Sequence, residues 1–263
     1  MIIPIIQNVD RNMSARDYSH LGDKILVTSV FSTIQGEGPY AGYPAMFVRL
    51  AGCNYGSKQD MCSWCDTSFE FDKGKAYNLN ELLAELISTS GYNPKQVLVI
   101  TGGEPTLQPN LLALIVRASH FFAHIQLETN GTQPKFFATA VNLHMQSYFK
   151  SVVSPKANER LGKYPQVANE VLWHASCLKF VMTADPTSPH HTVPQWALES
   201  GKTIYVSPMA VYAEAYKGEV ASIWDDGLID KAATAANYHY AAIYAMEHQL
   251  LLSLQQHLFI GLA

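Results

Sequence analysis

Three cysteines lie close together in the chain, at a spacing typical of metal binding. Cys53, Cys62 and Cys65 belong to the stretch GCNYGSKQDMCSWCDT, with eight residues between the first two thiols and two between the last pair. A disulfide is one interpretation, and a zinc site is another, but a four-cysteine zinc site would need the distant Cys177. Three thiolates also suit an iron-sulfur cluster that keeps one iron open for chemistry. The spacing therefore predicts a metal or redox centre and leaves its kind open.

The fourth cysteine has a different setting. Cys177 opens the run CLKFVMT, which is typical of a buried strand. A buried free cysteine commonly packs as a small hydrophobic side chain. We therefore expect Cys177 to be structural.

Composition and charge limit the classes of function. The chain has 263 residues, of which 48% are hydrophobic and 15% are charged, which is ample for a large buried core. Its formal net charge of −4 provides no general attraction for nucleic acid or for anionic membranes. We therefore expect a single globular domain that acts on a small molecule.

The amino terminus predicts the compartment. The opening MIIPIIQNVDR has no basic segment and no small-residue cleavage site, and no later apolar run approaches the roughly 18 residues of a membrane helix. We expect a cytoplasmic protein, in which clustered thiols bind metal or do redox chemistry more often than they form disulfides.

Short β-rich runs alternate with amphipathic segments and predict the fold. The runs are AMFVRLAG (45–52), VLVITGG (97–103), IQLETNG (125–131), SVVSPK (151–156), LKFVMT (178–183) and TIYVSPM (203–209). Between the first two, residues 79–91 carry an apolar face of leucines and end at Gly91, as expected of a helix. Such alternation indicates parallel strands joined by crossover helices. We predict an α/β fold, an open partial (β/α)6 barrel.

Polar residues follow five of these six runs. They are Cys53 after the first, Gly102, Gly103 and Glu104 after the second, Glu128 and Asn130 at the third, Ser154 and Lys156 at the fourth, and Ser207 at the sixth. Each could be an ordinary turn residue. In barrels of this kind, however, the chemistry lies at the carboxyl ends of the strands. The pattern therefore predicts one site on that rim.

Several motifs in combination resemble the radical S-adenosylmethionine (SAM) superfamily and, within it, the 7-carboxy-7-deazaguanine synthase family. They are FSTIQGEGPYAGYPAMFVRLAGCN (31–54), CSWCDT (62–67), TGGEP (101–105), ETNGT (128–132), SPK (154–156) and LQQH (254–257). The gap between the first two cysteines is longer than the usual three residues of the superfamily, but this loop varies in that family. The resemblance covers about 25–263 and leaves residues 1–24 as an N-terminal extension without an assigned role.

The resemblance implies two cofactors. Cys53, Cys62 and Cys65 would hold a [4Fe-4S] cluster whose open iron binds S-adenosyl-L-methionine. One electron from the cluster would cleave this cofactor and release a 5′-deoxyadenosyl radical. The other residues implied at the cofactor are Gly102, Gly103, Glu104, Glu128, Ser154, Lys156 and Ser207.

The resemblance also implies the reaction, a lyase step of 7-deazapurine biosynthesis such as that of queuosine. The substrate would be 6-carboxy-5,6,7,8-tetrahydropterin, whose ring contracts to 7-carboxy-7-deazaguanine with loss of ammonia. The residues implied at the substrate are Gln35, Glu37, Gly38, Arg49, His257 and Ala263. Thr67 would bind Mg²⁺, which prefers oxygen ligands. Position 258 is Leu, where many members of the family have Lys.

The resemblance further implies a homodimer and an electron donor such as flavodoxin or ferredoxin, with no direct nucleic acid or membrane partner. Two alternatives remain open. Another radical SAM enzyme, such as an activator of glycyl-radical proteins, would share the cluster and TGGEP. A non-catalytic metal-binding protein would explain the cysteines alone. Residues 212–227 are interpreted as an inserted loop or short helix without a derived purpose.

Overall fold

The structure is a computed structural model that describes residue 18 and residues 21–55, 74–91, 93, 95–213, 222–224 and 227–262. Within these ranges, no helix is long and apolar enough to cross a membrane.

One mixed sheet organises the fold. Its strands are β1 (Lys24–Ile34), β2 (Pro44–Leu50), β3 (Lys75–Asn78), β4 (Val97–Gly102), β5 (His124–Thr129), β6 (Phe149–Val153), β7 (Cys177–Met182), β8 (Ile204–Pro208) and β9 (Leu251–Leu252). Their order is β3-β1-β2-β4-β5-β6-β7-β8-β9. The pairs β1/β2 and β1/β3 are antiparallel, and every pair from β2/β4 to β8/β9 is parallel.

The six predicted runs are the parallel strands β2 and β4 to β8, and the predicted open partial barrel is confirmed. Three further strands, β1, β3 and β9, were not predicted from the sequence. β1 and β3 extend the sheet as an antiparallel pair at one edge, and β9 adds two residues at the other.

Helices connect the strands. They are α1 (Leu79–Thr89), α2 (Leu111–Ala118), α3 (Pro134–Thr139), α4 (Val141–His144), α5 (Asn169–His174), α6 (Gln195–Leu198), α7 (Lys231–His248) and α8 (Gln256–Ile260). The predicted helix over 79–91 is α1, and it begins with a capping box: the Asn78 side chain accepts from the Glu81 amide at 2.9 Å, and Glu81 accepts from the Asn78 amide.

The alternation of side chains along each parallel strand separates the core from the barrel interior. In β7, Leu178 and Phe180 are fully buried in one apolar cluster with residues of the helices. Lys179 and Val181 point the other way and line a cavity inside the barrel. The helices thus cover one face of the sheet with apolar packing, while the opposite face is free to carry polar groups.

The lower part of the interior is filled by an apolar cluster. Tyr40 packs there with Ala45, Val97 and Val99, and its ring stacks on His124 at a centroid distance of 4.7 Å. Because this cluster fills the interior at the start of β5, open space is left at the carboxyl ends of the strands.

Gly102 is the last residue of β4, and both its backbone conformation and its close approach to β2 exclude a side chain. Its φ is +133°, and a Cβ atom there would collide with the backbone of Leu50 on β2. We expect Gly102→Ala to lower the free energy of unfolding by about 3 kcal/mol or more, because strain and steric overlap add. Chemical denaturation measures this loss.

Gly162→Ala is the matched control for this prediction. Gly162 has a φ of +61°, but a Cβ atom there would have nothing within 4 Å. We expect a loss of about 1 kcal/mol from backbone strain alone. Equal losses in the two variants would contradict the close approach of β4 and β2.

Candidate active site

A cavity of about 230 Å³ opens at the carboxyl ends of the parallel strands. The predicted site residues that line it are Gln35, Glu37, Arg49, Cys53, Gly102, Gly103, Glu128, Ser154, Lys156, Ser207 and His257. The structure therefore brings together, in one place, residues as far apart in sequence as Gln35 and His257. Their individual roles stay predictions at this point.

The loop after β1 supplies the predicted substrate side of the cavity. Gln35 is buried, and its side-chain oxygen accepts from the Glu37 amide at 3.3 Å. A Cβ atom on Gly36 would approach His257 Nδ1 to 2.5 Å, so the loop packs directly against α8 near the carboxyl terminus. Gly38 lies behind the cavity wall, where its amide donates to Ser253 Oγ at 3.0 Å and its Cα faces the side chain of Gln126. Gly38 thus holds the loop in place.

A lysine that the sequence analysis did not single out lies between two of the predicted residues. Lys179 Nζ is 2.9 Å from Glu37 Oε2 and 3.1 Å from Glu128 Oε2. The second oxygen of each carboxylate has its own donor: Ser207 Oγ donates to Glu37 at 2.7 Å, and Gln126 Nε2 donates to Glu128 at 2.6 Å. We call Lys179, Glu37 and Glu128 the ion triad.

The surroundings of Glu37 and Lys179 favour the charged form of each side chain. Burial raises the pKa of Glu37, but Lys179, the Ser207 hydroxyl and His257 together bring it below its ordinary value. Burial lowers the pKa of Lys179, but Glu128 and Glu37 more than compensate and raise it. Stability gained from the ionised Glu37 is therefore present above the unfolded pKa and is lost as pH falls through the lowered folded pKa.

The charge of the cavity favours an anionic ligand. Its described lining carries three cationic side chains, Arg49, Lys156 and Lys179, and two carboxylates, Glu37 and Glu128. Lys156 Nζ lies 3.1 Å from Ser154 Oγ, which places an ammonium and a hydroxyl side by side beyond β6. Arg49 stacks over the Phe31 ring at 5.3 Å, which orients its guanidinium in the cavity. These groups can bind carboxylates and hydrogen-bond a polar heterocycle.

Glu104 lies behind the cavity wall and is fully buried. Its Oε1 accepts from the Thr106 amide at 3.0 Å and from the hydroxyls of Thr106 and Thr129, and its Oε2 accepts from the Asn130 amide at 2.7 Å. Burial raises the pKa of Glu104, although these hydrogen bonds oppose the rise. The side chain therefore joins the ends of β4 and β5, whereas the sequence analysis expected it to contact a ligand.

The first cysteine enters the rim through tight backbone packing. A Cβ atom on Gly103 would collide with the Gly52 carbonyl and come within 2.9 Å of the Cys53 Cβ. Gly102 and Gly103 are thus required because the end of β4 packs tightly against the end of β2, in addition to any approach by a ligand. Tyr18, from the predicted N-terminal extension, is buried with its ring against Gly52.

Asn54 is a second residue that the sequence analysis missed. Its side chain accepts from Asn130 Nδ2 at 3.0 Å and donates to Thr132 Oγ1 at 2.7 Å. The start of the cysteine loop is therefore bound to the loop after β5. The position of Asn54 directly after a predicted cluster cysteine was a signal in the sequence, but asparagine is also common in turns.

Four predicted site residues lie outside the described residues: Cys62, Cys65, Thr67 and Ala263. Most of 212–227 lies outside them as well. Among the residues that are described, no group of three or more His, Cys, Asp or Glu side chains could hold a metal ion. Cys177 is buried in β7 and free, as expected for a structural cysteine, and burial raises its pKa to about 12.

Comparisons with known proteins agree with the geometry of this rim. Residues 48–152, which run from β2 to β6, match the model of the Radical SAM superfamily. The 7-carboxy-7-deazaguanine synthase of Rickettsia prowazekii (strain Madrid E) is 32% identical over 246 residues, which cover 92% of this chain and 90% of that protein. The 7-carboxy-7-deazaguanine synthase of Rhodospirillum rubrum is 32% identical over 237 residues, which cover 83% and 88%.

A solved structure is similar over almost the whole fold. The crystal structure of QueE from Escherichia coli superimposes with a TM-score of 0.54 at 25% sequence identity. The match covers 88% of this chain and 93% of that chain.

We expect Glu104→Gln to destabilise the protein by about 2 kcal/mol. The new amide NH₂ would face the backbone N–H of either Thr106 or Asn130, so one buried donor would lose its acceptor. Chemical denaturation measures the change. Glu170→Gln, at an exposed position of α5, is the matched control, with an expected change within about 0.5 kcal/mol. A Glu104→Gln variant as stable as the wild type would show that these hydrogen bonds do not hold the rim together.

Proposed function

The chain belongs to the 7-carboxy-7-deazaguanine synthase family, and from this premise we propose the roles that the residues of the cavity take in its reaction. The enzyme is a radical SAM lyase of 7-deazapurine biosynthesis that acts on a small molecule by ring contraction. Its substrate is 6-carboxy-5,6,7,8-tetrahydropterin, and its product is 7-carboxy-7-deazaguanine, formed with loss of ammonia. The observation that carries the assignment is the convergence of the IQGEG loop, Arg49, Cys53 and His257 on one cavity.

The family implies a [4Fe-4S] cluster and S-adenosyl-L-methionine, and the described rim fits both. Cys53 offers a soft thiol ligand at the cavity, and Cys62 and Cys65 would complete the set of three. When bound, these cofactors supply a radical that removes a hydrogen atom from the substrate. The protein contributes position, charge and exclusion of water.

We assign the cofactor to the side of the cavity formed by the ends of β4, β5 and β6. Glu128 can accept hydrogen bonds from ribose hydroxyls, and the neighbouring Lys156 and Ser154 can bind a carboxylate. The backbone of Gly102 and Gly103 faces the same space. Ser207, which was predicted at the cofactor, donates its hydroxyl to Glu37 and would therefore support the substrate side.

We assign the substrate to the side formed by the loop after β1, by Arg49 and by α8. The planar guanidinium of Arg49 matches a carboxylate in a bidentate arrangement. Glu37 accepts from N–H groups of the pterin edge, while Gln35 and His257 can donate or accept beside it. Gly38 keeps the loop against the barrel, and Ala263 would lie near the substrate.

Mg²⁺ and the partners are the remaining proposals. Mg²⁺ would bind at Thr67 and hold the substrate carboxylate, since this hard cation prefers oxygen ligands. An external one-electron donor such as flavodoxin or ferredoxin would reduce the cluster, and a homodimer would be the working form. The cytoplasm suits three thiols that must stay reduced to bind a cluster. The relatives favour this enzyme over an activator of glycyl-radical proteins and over a non-catalytic metal-binding protein.

Mass spectrometry of the reaction tests the assignment. Anaerobically reconstituted protein is incubated with S-adenosyl-L-methionine, a reductant, Mg²⁺ and 6-carboxy-5,6,7,8-tetrahydropterin. We expect a product lighter than the substrate by one ammonia. An intact cluster that forms 5′-deoxyadenosine without this product would mean that the substrate is wrong.

Two arginine substitutions, one in the cavity and one on the surface, test a single substrate contact in the same assay. Arg49→Lys keeps the charge but loses the bidentate fork, so kcat/KM should fall by about 10- to 100-fold. Arg117→Lys on α2, where Arg117 bonds only a surface asparagine side chain in the described contacts, should leave kcat/KM unchanged. Equal activity of the two variants would remove Arg49 from the substrate site.

Thr67→Ala tests the proposed Mg²⁺ site. We expect the variant to lose most of the dependence of its rate on Mg²⁺, because a metal ligand is removed, while the visible absorbance of the cluster is retained. Steady-state rates over a Mg²⁺ titration measure the effect. An unchanged response to Mg²⁺ would exclude Thr67 as the ligand.

A further inference from the structure

Lys179 occupies a buried position, where lysine is rare unless it is paired. It lies in the middle of β7 with a relative exposure of 8%, between Leu178 and Phe180, which are fully buried. A buried ammonium is costly unless carboxylates pair with it. Its two partners come from different parts of the chain, Glu37 from the loop after β1 and Glu128 from β5.

The two partners belong to the two proposed halves of the active site. Glu37 lies on the substrate side, and Glu128 lies on the cofactor side. Each carboxylate gives one oxygen to Lys179 and the other to a neutral donor, Ser207 or Gln126. Because both oxygens are held, neither carboxylate can rotate without breaking a buried hydrogen bond.

We propose that Lys179 is a positioning residue shared by both ligand sites, which holds Glu37 toward the pterin and Glu128 toward S-adenosyl-L-methionine. This inference rests on the proposed function. One cation sets the orientation of two acceptors, so the geometry of each ligand depends on the same ammonium. Removing this ammonium affects both ligands, whereas removing either carboxylate affects mainly its own.

Electrostatics also distinguishes removal of the Lys179 ammonium from removal of one carboxylate. Without Lys179, two carboxylates would share a buried region with no ammonium between them, and the effect of burial on the pKa of Glu37 would lose its largest opposing group. One carboxyl of the pair would then take up a proton at a higher pH than either does beside the ammonium, because two like charges disfavour joint ionisation. The other titratable groups that face Glu37 are His257 on α8 and Tyr238 on α7.

The test compares binding of the two ligands in four variants of the reconstituted enzyme. The dissociation constants of S-adenosyl-L-methionine and of 6-carboxy-5,6,7,8-tetrahydropterin are measured separately by anaerobic equilibrium dialysis. For Lys179→Met we expect both constants to rise by about tenfold or more, since each ligand loses an oriented charged acceptor. Glu37→Gln should weaken mainly the pterin, and Glu128→Gln mainly S-adenosyl-L-methionine. Lys179→Arg keeps the charge and should show smaller losses for both ligands together.

Lys202→Met is the matched control. Lys202 is also partly buried at the sheet, but its Nζ donates to the carbonyls of Trp173 and Ala175, at the amino end of β7 and away from the cavity. It should lower thermal stability without changing either dissociation constant. If Lys179→Met does not fold, Lys179→Arg still shows whether the binding of both ligands is weakened together or is unchanged.

The pH profile separates positioning from general destabilisation. Pterin binding by Lys179→Met should weaken as pH falls through the range in which the carboxyl pair takes up a proton, while the wild type keeps its affinity to lower pH. If Lys179→Met only disturbed packing, pterin binding would depend on pH in the same way in the variant and in the wild type.

Weakening of only one ligand, or of neither, in folded Lys179 variants would overturn the inference. A wild-type enzyme that binds S-adenosyl-L-methionine but neither binds nor converts the pterin would instead contradict the proposed substrate. The cofactor measurement on Lys179→Met still applies in that case, so the two failures are distinguishable.

Discussion

A single buried ammonium shared by two carboxylates orders the centre of this active site. The charges of the ion triad stabilise one another only because the two strands and one loop that carry them are fixed at hydrogen-bonding distance. Desolvation of such a cluster is expensive, and loss of Lys179 would leave two carboxylates without their shared cation. The loop after β1, β5, β7 and, through Ser207, β8 are therefore tied to one geometry.

The rim around the ion triad is held by packing and by a second buried carboxylate. Glu104 accepts hydrogen bonds from the backbone and hydroxyls at the ends of β4 and β5, and Gly102 lets β4 press against β2. Asn54 extends this network to the cysteine loop. Preorganisation of this kind suits radical chemistry, in which the reacting groups must be held close and water must be kept out.

The parallel strands and the rim were predictable from the sequence, because hydrophobic runs and the polar residues after them follow directly from the physics of a covered parallel sheet. Lys179 was not found, since it stands inside the apolar run CLKFVMT, and only the period-two alternation shows that it faces the interior. The placement of Glu104 depends on contacts between distant segments, which no local pattern encodes. The two-residue β9 is too short to leave any pattern.

The most direct test is a crystal structure of the anaerobically reconstituted enzyme with S-adenosyl-L-methionine and 6-carboxy-5,6,7,8-tetrahydropterin bound. The account predicts that Lys179 Nζ stays within hydrogen-bonding distance of both carboxylates, with Glu37 facing the pterin and Glu128 facing the cofactor. A complex in which the ligands contact neither carboxylate, or in which Lys179 pairs with only one of them, would contradict it.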